Sequence, residues 1–69
     1  MQNNVELRVA AKSSGVKLWE VAEAIGISDG MFSRKLRREL PEQERVKLLH
    51  IVAEIAQRKE AAAHENARN

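Results

Sequence analysis

Residues 18–37 read LWEVAEAIGISDGMFSRKLR, and this stretch decides the fold. Leu18, Val21, Ala22 and Ile25 recur at i, i+3, i+4 and i+7, the spacing of one apolar face on a short helix. Gly26 follows at once, where a residue without Cβ ends a helix in a left-handed turn. Ser28 is a good N-cap, and Asp29 in the next turn sits at the positive end of a helix dipole. Phe32 and Leu36, four positions apart, supply the apolar face of the second helix. Two short amphipathic helices joined by little more than Gly26 and Ile27 make a helix-turn-helix pattern, predicted over about residues 18–38. Ala22 is small where the helices cross closely, and Val21, Ile25, Ile27 and Phe32 lock the pair.

Outward from this core the same signals continue. Leu7, Ala10 and Ala11 fall at helical spacing in a first helix, from about Val5 to Ser14, with Gly15 as its stop. Pro41 ends the third helical region near Arg38 and suits the start of a fourth, where Glu42 and Glu44 favour the dipole. That last helix is predicted over about residues 42–62. Its apolar stripe is Val46, Leu49, Val52, Ile55 and Ala56, widened by Leu48 and Ile51. Residues 63–69 are expected to fray. No strand-like alternation appears, and aromatic residues make up only 3% of the chain, which favours helices over sheet.

Composition narrows the function classes. The chain has 69 residues, enough for one domain. A chain of this size buries only about 60% of its unfolded surface, so well-packed helices or a partner subunit must hold it. Zero cysteines exclude a disulfide framework and thiolate metal sites. The two histidines, His50 and His64, have no obvious partner, so neither metal nor cofactor is expected. No apolar run approaches the ~20 residues of a membrane span, and no secretory signal is evident. A cytoplasmic protein is therefore expected. So small a chain, with no recognisable nucleophile and base, is not expected to be an enzyme.

Net charge is +2, from 12 Lys+Arg against 10 Asp+Glu. The distribution says more than the total. Arg34, Lys35, Arg37 and Arg38 crowd onto the end of the second motif helix, while Glu20, Glu23, Glu42, Glu44 and Glu54 lie on the others. A basic cluster on one helix is the electrostatic signature of a nucleic-acid reader, although such a run can also be a solvated face stabilising a helix C-terminus.

The segment LWEVAEAIGISDGMFSRKLR resembles the helix-turn-helix of the Cro/C1-type repressor superfamily, above all the compact single-domain DNA-binding regulators of phages and mobile elements. The resemblance implies an all-α, four-helix, lambda-repressor-like helix-turn-helix domain with a long C-terminal helix. It implies sequence-specific binding of double-stranded DNA, with a recognition helix at about 28–38 in the major groove. The residues carried over to that role are Ser28, Asp29, Gly30, Ser33, Arg34, Lys35, Arg37 and Arg38, with Lys17 as a phosphate contact. Three positions depart from the family pattern. Leu18 stands where Gln usually contacts a phosphate, Asp29 and Gly30 stand where Gln or Ser is frequent, and Lys35 replaces an apolar residue whose place Leu36 takes.

A homodimer is also expected, because the apolar residues of the last helix occupy more than one narrow stripe. Trp19, Leu48, Ile51 and Ile55 are the candidate interface. Two alternatives share the fold. One is a protein-interaction module (an antirepressor, an antitoxin-like partner or a small inhibitor of a host protein), favoured by Leu18, Asp29 and Trp19. The other is an excision or architectural accessory factor.

Overall fold

The computed structural model describes residues 4–67, with side chains as far as residue 62. Four helices follow one another: α1 (Val5–Ser13), α2 (Leu18–Ile25), α3 (Asp29–Leu36) and α4 (Glu42–Ala67). There is no strand among the described residues. The protein is all-α, with α2 and α3 joined as a helix-turn-helix.

The first two helices end by the same device. Gly15 and Gly26 adopt φ of 70° and 78°, in the left-handed region. After α1, Val16 N–H donates to Ala11 O at 2.8 Å and Gly15 N–H to Lys12 O at 3.2 Å. After α2, Ile27 N–H donates to Ala22 O and Gly26 N–H to Glu23 O, both at 3.1 Å. These paired bonds close a Schellman motif, in which the residue after the glycine turns an apolar side chain back onto the helix. Val16 is accordingly buried and Ile27 packs against the core. The repeated Gly-Val and Gly-Ile dipeptides thus stop each helix and add to the interior in one step.

Helix α3 starts as expected. The Ser28 hydroxyl accepts from Met31 N–H at 3.1 Å, and Asp29 lies in the first turn. It ends at Leu36, short of the predicted Arg38. The cause is Asn4, which is 1% exposed and holds φ 60° just before α1. Its amide Nδ2 donates to Leu36 O and to Arg38 O, both at 2.9 Å. Its Oδ1 accepts from Leu40 N–H at 2.9 Å. Asn4 N–H donates to the Glu39 carboxylate at 3.1 Å, and Arg8 N–H donates back to Asn4 O at 3.0 Å. One side chain therefore supplies partners for the main-chain groups that the end of α3 leaves unpaired.

Helix α4 runs past the expected end near residue 62 to Ala67, through the alanine-rich stretch that has the strongest helix propensity. Residues 68 and 69 of the expected frayed tail lie outside the described residues. The inward face of α4 is Leu48, Val52 and Ile55, flanked by Leu49, Ile51 and Ala56. The predicted stripe is therefore rotated: Val46 points outward, 43% exposed, and Leu48 takes the interior position. The reason is that α4 packs against both α1 and α2, so its buried face is broad and centred between them. Arg45 and Glu6, with 3.8 Å between Arg45 Nε and Glu6 Oε2, flank the α1 side of this seam.

The remaining core comes from Leu7, Ala11, Val21, Ala22, Phe32, Leu36 and Leu40. Replacing Asn4 tests the junction. Asn4→Gly keeps the left-handed backbone but strips partners from Leu36 O, Arg38 O and Leu40 N–H, and should cost about 2–3 kcal/mol. Asn4→Ala should cost roughly 1 kcal/mol more, because a Cβ disfavours that backbone conformation. Urea denaturation reads both; a parent-like midpoint for Asn4→Gly removes the junction from the account of stability.

Candidate nucleic-acid interface

Helix α3 has eight residues, too few to be stable alone, and is held by two anchors, Phe32 and Leu36, each 1% exposed. With those two side chains turned inward, helical geometry directs Gly30, Arg34 and Arg37 away from the core. Ser28, Asp29, Gly30, Ser33, Arg34, Lys35, Arg37 and Arg38 are all exposed, as is Lys17 before α2. The nine sequence-predicted residues are carried by two parts of the chain. Lys17 belongs to the α1–α2 connection, where it borders a depression together with Arg8 and Lys12. The other eight belong to α3 and its two ends.

Several of these side chains and backbones are already engaged. The Ser28 hydroxyl caps α3. Lys35 pairs with Glu44 on α4, tying the flank of α3 to the start of the long helix. Arg38 follows the helix, and its carbonyl is gripped by Asn4. Beside them, Ile27 and Met31 line a shallow depression together with Arg34, Lys35 and Arg38. Met31 is 59% exposed. Neither the Lys35–Glu44 pair nor the role of Asn4 has a sequence signal, since each joins residues on separate elements. Met31 was legible in principle: with Phe32 and Leu36 inside, helical spacing turns position 31 outward.

At the start of α2, the Glu20 carboxylate accepts from Lys17 N–H at 2.9 Å, satisfying one free donor of the first turn. Lys59 reaches across from α4 and donates to Glu20 Oε1 and to Gly15 O, both at 2.7 Å. The Lys59 bond first, and the Lys17 N–H second, hold the Glu20 carboxyl below its ordinary value of 4.5. The negative charge nearest Lys17 is thereby matched by a cation from behind.

Trp19 is 54% exposed on α2, whereas Ile51 is half-buried against the core. Leu48 and Ile55, expected at a dimer surface, are interior at 2% and 8% exposed. They complete this chain's own core and are not presented to a second copy, because the inward face of α4 is the rotated one described above. His50 is exposed; the side chain of His64 lies outside the described residues. Among the described residues, no group of three or more His, Cys, Asp or Glu is arranged to hold a metal ion. Likewise no described helix is long and apolar enough to cross a membrane.

Comparison with protein-family models, with curated proteins and with solved structures returned no match.

The clasp at Glu20 has a pH signature. A carboxyl whose folded pKa is lowered contributes stability above its unfolded value and loses it as pH falls through the folded value. The stability difference between the parent and Glu20→Gln should therefore be full near neutral pH and shrink below 4.5. Urea midpoints from neutrality down to acid measure it. A difference that stays constant with pH assigns the effect to packing instead of the charge.

Proposed function

We propose that this protein binds double-stranded DNA sequence-specifically, with α3 in the major groove, as a transcriptional regulator of a phage or mobile element. The observation that carries this reading is the two-sided character of α3. Phe32 and Leu36 are sealed in the core, while the opposite side bears Arg34, with the exposed Arg37 and Arg38 just beyond the helix end. A recognition helix needs that division, because its anchors must fix its orientation while its polar face stays available to base edges. Arginine is suited to guanine, whose O6 and N7 accept its paired donors. Lys17 and Lys35 are suited to phosphates, which position the domain without reading sequence. Asp29 is a helix-start residue in this scheme, since a carboxylate near phosphates is repelled unless cytosine N4 donates to it. The place in a phage or mobile element rests on the resemblance of residues 18–37 to the Cro/C1-type motif.

The exposed Trp19 favours a second reading, a protein-interaction module on the same fold, because an exposed tryptophan is a frequent interface anchor. Salt separates the two. DNA binding should lose about 0.9 log units of affinity per log unit of salt for each phosphate neutralised. A Trp19-anchored contact should respond weakly to salt and fail on Trp19→Ala.

The direct test is selection of bound sequences from a random duplex pool. A single enriched sequence is expected, and an enriched palindrome would also report two copies acting together. On that sequence Arg34→Ala and Arg37→Ala should each cost about 1–3 kcal/mol and relax one base position. If both variants bind every duplex as the parent does, base readout by α3 is wrong.

A further inference from the structure

The exposure of Met31 is the feature of α3 that the arginines do not explain. Met31 is the third residue of the helix, and its backbone is fixed by the bond from its N–H to the Ser28 hydroxyl. Its side chain is nevertheless 59% exposed, the largest value among the exposed large apolar residues. It does not stand alone. Together with Ile27 it lines a shallow depression that it shares with Arg34 and Arg38, and with Lys35, whose ammonium is paired with Glu44. Apolar side chains beside two arginines suit a ligand that is apolar at its tip and anionic around it.

We infer that Met31 is a specificity-determining residue that packs against the C5-methyl group of a thymine. The inference rests on the DNA-binding reading and adds to it a base that the arginines do not recognise. The major groove displays donors and acceptors on every base pair, but only thymine presents an apolar group there, and phosphates flank it on both strands. Residues in the first turn of a recognition helix are those that reach base edges, which is where Met31 sits. Its unbranched thioether side chain adapts to a methyl without a preset shape. An acidic, apolar protein segment has related chemistry. However, a pair of apolar side chains is small beside the ~800 Å² per partner of a stable protein interface, and this favours the base.

The test uses the duplex enriched from the random pool, resynthesised with deoxyuridine in place of each thymidine in turn. Uracil pairs as thymine does and lacks only the methyl group. The parent should bind about fourfold more weakly at one uracil position, the effect of a lost buried methyl. Met31→Ala should bind the thymine and uracil versions of that position alike, while Met31→Leu keeps the discrimination. Arg34→Ala should weaken both versions by the same factor. Because Met31 is exposed, all variants should melt with the parent, which circular dichroism checks. Indifference of the parent to uracil at every position overturns the assignment, as does a Met31→Ala variant that still discriminates; DNA binding itself then stands. Failure to enrich any duplex overturns both readings and returns the depression to a protein ligand.

Discussion

A buried asparagine before the first helix organises the half of the molecule that carries the end of α3 and the basic segment after it. Asn4 lies far from α3 in sequence, yet its amide donates to Leu36 O and Arg38 O and accepts from Leu40 N–H. A helix end in a small domain presents several carbonyls that water cannot reach once the chain packs. Here one side chain meets that need, and in doing so it decides where α3 stops and where the basic segment after it leads. The left-handed backbone of Asn4 aims the amide, and Asn is among the few residues that tolerate such a conformation. Together with the buried Leu40, this junction fixes the path of the chain between Leu36 and Pro41.

Two further constraints set the placement of α2 and of the turns at its two ends. Gly26 closes α2 and turns Ile27 onto the core, which brings α3 across at short range. Lys59 clasps the α1–α2 turn and the Glu20 carboxylate from α4, so the long helix braces the element that carries Lys17. At 26 residues, α4 is about 39 Å long at 1.5 Å per residue. It therefore runs nearly the whole 43 Å length of the molecule and packs against α1 and α2, which in turn carries α3. The short helices are thus held by tertiary contacts and little else, as their lengths require.

Much of this is legible in the sequence. The limits of α2, the glycine stops and the Ser28 cap follow from local chemistry, and the structure reproduces them. Phe32 and Leu36 were readable as anchors from their spacing alone. The end of α3 was not, because local signals allow the helix to continue to Arg38 and only a side chain from another element halts it. The register of α4 was not legible either. Its apolar residues cover more than half of the helix circumference, so periodicity admits several inward faces. Packing between α1 and α2 chose the one centred on Leu48, Val52 and Ile55. Most of the apolar residues of α4 cover the chain's own interior.

By itself, then, the amino-acid sequence determined what is local: four helices, their glycine and proline punctuation, and a run of cations on one of them. Backbone propensity and i, i+4 spacing act within a few residues, so they can be read from a few residues. Tertiary structure decided what depends on distant partners. It turned Arg34 and Arg37 outward, engaged Lys35 with Glu44, left Met31 uncovered beside Arg34 and Arg38, and spent Leu48 and Ile55 on the core. Those outcomes depend on which surfaces meet, and burial of apolar area is a property of the whole packed arrangement, not of any one helix.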